Sequence, residues 1–214
     1  MTDILELVLI IVAVWFLLNV TAVLWKRIRL YLRISALTRI GAEVKYVKLP
    51  FLSLFRTSSK PEITVKLGKK LYLIRIFSGG GIGKVVHFAS AEFLVRFSRL
   101  RTAIYSKRRL GEKIVTARSG FAVGTKVFKI PALNTSEYAD ADTEVIPVLI
   151  FSPAPGEVSY VTEEKTSIRG AFTGDDVLGT MIFTSSTFGR AIEREYRREM
   201  HEAQTENEKE PALK

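Results

Sequence analysis

LVLIIVAVWFLLNVTAVLW, residues 7–25, holds no charged side chain, and its only polar ones are Asn19 and Thr21. At ~1.5 Å per residue this stretch makes a helical rod of about 28 Å, close to the hydrocarbon thickness of a bilayer. A buried helix of a soluble protein is apolar on one stripe rather than around its whole circumference. A cleaved signal peptide opens on lysine or arginine, whereas Asp3 and Glu6 precede this run, although Val20 and Ala22 would fit a small-residue cleavage pattern. The stretch therefore predicts a single transmembrane helix. Lys26, Arg27, Arg29 and Arg33 follow it, and lysine and arginine stay on the cytoplasmic side. This flank predicts an N-terminus outside the cell membrane and a C-terminal domain in the cytoplasm. Trp25 stands where an indole anchors a helix at the interface. Asn19 can bond its own backbone, or bond across a helix pair in a homo-oligomer at about 0.6–2 kcal/mol.

Outward from the span, charge is divided along the chain. Residues 26–121 carry 22 lysines and arginines against 4 acidic residues, and residues 122–214 carry 10 against 16. No aspartate occurs between Asp3 and Asp140. A cationic domain held at the inner leaflet is drawn to anionic headgroups by ~1 kcal/mol per well-placed lysine or arginine. The same charges could take a nucleic acid or an acidic protein as partner, because phosphate neutralisation needs only such side chains. The candidate binding residues are Lys26, Arg27, Arg29 and Arg33, with the cluster Arg96, Arg99, Lys107, Arg108 and Arg109.

The 214-residue chain has no cysteine and two histidines, His87 and His201. Disulfides, zinc–thiolate sites, iron–sulfur clusters and cysteine nucleophiles are excluded, and histidine-based metal or triad chemistry has little to work with. No cofactor is expected.

The expected fold class is α+β, a single transmembrane helix followed by a mixed-sheet cytoplasmic domain flanked by helices. Its parts are the N-terminal flank and span (1–25), a basic juxtamembrane helix (26–40), a cytoplasmic domain (41–192), and a charged helix end with a disordered tail (193–214). Leu30, Ile34 and Leu37 have helical spacing, although Ile28, Leu30, Leu32 and Ile34 also alternate as a strand does; Gly41 then breaks the pattern. Glu43–Leu49 alternates as a strand does. Ile63–Leu67 and Leu71–Phe77 flank a Gly68–Lys70 turn as a hairpin would, and Lys84–Phe88 is a further strand. Phe93, Leu94, Phe97, Leu100 and Ile104 predict a helix over 90–106, N-capped by Ser90. Two strands are expected within 114–130. Val145–Phe151 reads as a strand buried on both faces. A short strand at 158–161, one at 177–184 and a helix over 188–201 follow, with Thr205–Lys214 disordered.

Few motifs suggest chemistry. SGGGIGK, residues 78–84, has the flavour of a phosphate loop, but Ser78 stands where the first glycine is needed and Val85 where a hydroxyl must reach Mg²⁺. It reads as a loop. Asp175 and Asp176 after Gly174 could hold a cation, but more naturally form a turn. His87, between Val86 and Phe88, reads as a structural histidine.

Gly41–Phe77 resembles the core of the restriction-endonuclease-like (PD-(D/E)XK) fold, especially its NERD-like members. The resemblance lies in Pro61-Glu62-Ile63-Thr64 and Leu73-Ile74-Arg75-Ile76-Phe77, with Val145–Ser152 and Met181–Ile192 similar to the closing strands and helix. It covers residues 40–192. It implies a metal carboxylate at the position of Thr64, a second carboxylate at Arg75 and a lysine at Phe77. None of the three is present, so the implied catalytic centre is degenerate. The reading is a non-enzymatic, membrane-anchored binding or scaffold module. The alternatives are a membrane-tethered metal-dependent nuclease using Glu43, Lys45 and Glu62, and a subunit of a larger membrane complex.

Overall fold

The computed structural model describes residues 2–48, 59–99, 122–162 and 168–209. A single α-helix, α1 (Thr2–Ser35), runs without a break through the apolar stretch and out of it, and a 3₁₀ turn (Ala36–Ile40) extends it. It is long and apolar enough to cross a membrane, and its most apolar window is wholly exposed, unlike a helix from the core of a soluble protein. Gly41, at φ +84°, ends the 3₁₀ turn by donating its amide back to Thr38.

Among the described residues, the rest of the chain is built from eleven strands, a short 3₁₀ turn (Ser136–Tyr138) and one more helix. The strands are β1 (Glu43–Tyr46), β2 (Ile63–Leu67), β3 (Lys70–Phe77), β4 (Lys84–Phe88), β5 (Phe93–Arg99), β6 (Ala122–Lys129), β7 (Glu144–Phe151), β8 (Glu157–Val161), β9 (Ile168–Gly170), β10 (Asp176–Val177) and β11 (Thr180–Thr184). The helix is α2 (Phe188–Lys209). The strands form two mixed sheets. The first has the order β1-β2-β3-β7-β11-β10 and the second β6-β5-β4-β8-β9. The α+β class holds.

Three layers result. One face of the first sheet (Ile63, Val65, Tyr72, Ile74, Ile76, Val148, Ile150, Phe183) is covered by Leu30, Tyr31, Ile34 and Leu37 from α1 and the 3₁₀ turn, and by Phe188 and Ile192 of α2. The other face (Phe77, Leu149, Phe151, Ile182) packs on Val86, Phe88 and Leu94 of the second sheet. β7 lies between β3 and β11, parallel to both, and alternates between the two cores, which is why its sequence is almost wholly apolar. Phe151 joins the layers through edge-to-face contacts with Phe77 and Phe88 at 5.8 and 6.5 Å.

Three expectations need correction. Residues 93–99 form strand β5, not part of a helix, and residues 100–106 lie outside the described residues. Ser90 accepts the Glu92 amide on its hydroxyl and the Phe93 amide on its carbonyl. This closes the β4–β5 turn with the same local bonds that an N-cap makes. Residues 177–184 form a hairpin, β10–β11, turning at Leu178 and Gly179 with positive φ at both. α2 runs on through 205–209, where a disordered tail was expected, because neither glycine nor proline interrupts 190–209. Of the two strands expected in 114–130, β6 is observed; 114–121 lie outside the described residues.

Candidate functional site

α1 is antiparallel to β3. Arg27 meets the end of β3, while Glu43, just past the 3₁₀ turn, pairs with Lys66, which pairs with Leu71 at the start of β3. The apolar half of α1 therefore projects beyond the C-terminal end of β3. Phe77, Phe151 and Thr184 are in register there. The connections 78–83, 152–156 and 185–187 consequently share this end of the domain, hereafter the exit end. The second sheet meets it too. Lys84 opens β4, pairs with Ser98, and accepts the Gly156 amide on its carbonyl. Arg99 and Ala122, at the end of β5 and the start of β6, are paired at the same edge.

Arg27 is the pivot of this end. It is 1% exposed, so it is not available as a surface ligand for lipid or nucleic acid. Its Nη1 lies 3.3 Å from Oε2 of Glu62, its Nη2 donates to the Ile76 carbonyl at 3.2 Å, and its Nε donates to Ser78 Oγ at 2.9 Å. Glu62 Oε1 accepts the Ile76 amide at 3.1 Å. β2 begins only at Ile63, so Ile76 has no strand partner on that side. The carboxylate and the guanidinium together stand in for the missing strand end and satisfy both backbone groups of Ile76. The signal was present in the sequence: one turn back from Leu30 and Tyr31, along the line through Ile34 and Leu37, lies Arg27.

The other basic residues fall into three groups. Lys26 and Arg29 are exposed at the root of the helix, with the Arg29 guanidinium over the Trp25 ring at 5.4 Å. Arg33 donates to the Ser185 carbonyl at 3.2 Å. Arg96 is half-buried: it donates to the Gly79 carbonyl at 3.2 Å, lies over the Phe128 ring at 5.4 Å, and has a buried Nε without a hydrogen-bond partner among the described residues. Lys84, not singled out from the sequence, joins them through a 2.6 Å bond to Ser98 Oγ. The Arg99 side chain and Lys107, Arg108 and Arg109 lie outside the described residues, as does the Asn19 side chain.

Thr64, Arg75 and Phe77 share the face of the first sheet that looks toward the second, with Thr64 opposite Leu73. Thr64 and Phe77 are buried. Burial lowers the Arg75 pKa to about 10, against the pull of Glu62, and its Nε and Nη2 are buried with no hydrogen-bond partner among the described residues. Burial also lowers the Lys48 pKa; Glu62 opposes this and Arg75 reinforces it.

Glu43 and Lys45 pair with each other at 2.8 Å on the exposed edge strand. The hydrogen bond and charge of Lys45 hold the Glu43 carboxyl below its usual range. Glu43 is opposite Lys66, four residues along the chain from Glu62 and hence about 13 Å away. The three nuclease candidates do not converge. Among the described residues no three histidine, aspartate or glutamate side chains gather as a metal site would require.

Two further polar clusters lie elsewhere. His87 Nδ1 is 3.0 Å from Ser159 Oγ on the neighbouring strand, and burial keeps the imidazole pKa below its ordinary value. At the opposite end, Lys70 bonds Glu195 and Glu199, and Tyr72 donates to Glu195 at 2.9 Å. Burial alone would raise the Glu195 pKa; the bonds from Lys70 and Tyr72 outweigh it and lower it. Asp175 serves a turn, its carboxylate accepting the Phe172 amide at 2.8 Å. Comparison with protein-family models, curated proteins and solved structures finds no match to this chain.

Proposed function

We propose that the chain is a single-pass, membrane-anchored binding module without catalytic activity. Its N-terminus lies outside and its domain in the cytoplasm, with the basic exit end held against the anionic inner leaflet. One observation carries this reading: the domain edge from which the apolar helix leaves is also the edge where Lys26 and Arg29 are exposed and Lys84 is partly exposed. Helix insertion would bring those charges within a Debye length of the headgroups, where each is worth ~1 kcal/mol.

The nuclease alternative, and with it a working endonuclease-like centre, gains no support from Glu62, whose two carboxylate oxygens are bonded to Arg27 and to the Ile76 amide. Assembly through Asn19 remains a second reading, carried by the apolar span alone.

The test is amide exchange across residues 84–99 of the full chain. It is measured in nanodiscs of phosphatidylcholine alone and of phosphatidylcholine with phosphatidylglycerol. Exchange is expected to slow in the anionic discs at low salt and to recover at high salt. Equal exchange in both discs would contradict the leaflet reading. Nucleic acid that slows exchange equally in both discs would reassign the surface to phosphate backbones.

A further inference from the structure

We infer that the 78–83 loop is a second membrane contact, placing the Ile82 side chain in the interfacial layer of the leaflet from which α1 emerges. The inference rests on the proposed anchoring and adds a site to it.

Ile82 is fully exposed, and no other large apolar side chain among the described residues is as open to solvent. A lone exposed isoleucine is ordinary; its position here is not. Ile82 sits at the corner of a β-turn closed by the Lys84 amide on the Gly81 carbonyl at 3.0 Å. Gly83, the next corner, has φ +74°, the left-handed conformation that such a turn reserves for glycine. β3 arrives at this loop from the first sheet and β4 leaves it into the second, so the turn lies at the exit end.

The root of the loop is fixed. Ser78 Oγ is held by Arg27 at 2.9 Å, the Gly79 carbonyl by Arg96 at 3.2 Å, and at Gly80 any side chain would collide with the Pro153 carbonyl. Arg27 is two residues, about 3 Å along the helix axis, beyond Trp25. Four residues of chain from Ser78 span up to about 13 Å, and the interfacial layer is about 5–8 Å deep on each side of the hydrocarbon. The loop is therefore long enough for its tip to reach lipid while its root stays at the level of Arg27. Lys84, Lys26 and Arg29 flank it with the charge that anionic headgroups favour. A greasy tip beside basic residues is the pairing that holds peripheral segments at a bilayer surface. Its consequence is orientational: with one helix alone the domain tilts together with that helix relative to the bilayer, and a second contact restricts that tilt.

The absence of cysteine allows single-site labelling of the full chain. Ile82→Cys, Lys69→Cys and Leu17→Cys, each carrying an environment-sensitive fluorophore, are compared in nanodiscs of phosphatidylcholine and phosphatidylglycerol. Lys69 is at the β2–β3 turn, about 23 Å from the end of β3. The label at 82 is expected to show blue-shifted emission and several-fold weaker quenching by aqueous iodide than the label at 69. An unchanged melt of the Ile82→Cys protein confirms the fold. A label at 82 as accessible to iodide as that at 69, with the label at 17 protected, overturns the inference and leaves the anchor standing. A label at 17 that is itself accessible overturns both.

Discussion

Replacement of Glu62 by alanine is expected to destabilise the domain by about 3–5 kcal/mol, the usual cost of breaking a buried ion pair from one side. Domains of ordinary stability have only about 5–15 kcal/mol in total. The substitution removes the carboxylate beside Arg27, which is 1% exposed, and the acceptor of the Ile76 amide. Urea unfolding of the full chain in nanodiscs, followed by the circular dichroism of the sheets, reads this directly. The double variant Arg27→Met with Glu62→Leu removes both charges and is expected to lose less than Glu62→Ala, because no uncompensated charge stays buried. A loss below about 1 kcal/mol for Glu62→Ala would mean that the pair does not complete the strand end.

Ile34→Ala is expected to cost about 2–5 kcal/mol, as large-to-small substitutions in packed cores do. Ile34 is 1% exposed and lies in the layer between α1 and the first sheet, whereas Leu32, two residues earlier, is 65% exposed. Leu32→Ala serves as the control and is expected within about 0.5 kcal/mol of the parent. The contrast separates two descriptions of residues 26–40. As a free juxtamembrane helix, both substitutions would be nearly silent. As a helix that passes from the apolar span straight into the core, only Ile34 matters, and the domain is mounted stiffly on its own anchor.

Local pattern in the sequence was enough for elements with a single consistent reading. The β2–β3 hairpin and β4 follow from their short apolar runs and turn residues, and β7 from a continuous apolar run of strand length. Residues 93–99 misled because Phe93, Leu94 and Phe97 satisfy a helical stripe while Phe93, Val95 and Phe97 satisfy a strand. Pairing with β4 and β6 on either side decided between them. Arg27 misled for a different reason. A basic residue after a membrane span is normally solvated, and its burial depends on Glu62 and Ile76, 35 and 49 residues away. The spacing from Leu30, Tyr31, Ile34 and Leu37 puts Arg27 on the buried line of the helix, but no local signal names its partners. The division into two sheets was equally illegible, since it depends on which strand receives β4 and not on any property of β4 itself. The position of individual basic residues was legible only in part: the counts gave the sign of the charge, and the antiparallel packing of α1 on β3 puts Lys26 and Arg29 beside the end of β3 and Lys66, Lys69 and Lys70 at its start.

The anchoring and its orientation are tested most directly by labelling single-cysteine variants in intact cells with a membrane-impermeant maleimide. Thr2→Cys is expected to react from outside, and Lys69→Cys only after the cells are opened. Reaction of Lys69→Cys in unopened cells, or recovery of the full chain in the soluble fraction, would contradict a domain hung from the cytoplasmic face by its N-terminal helix.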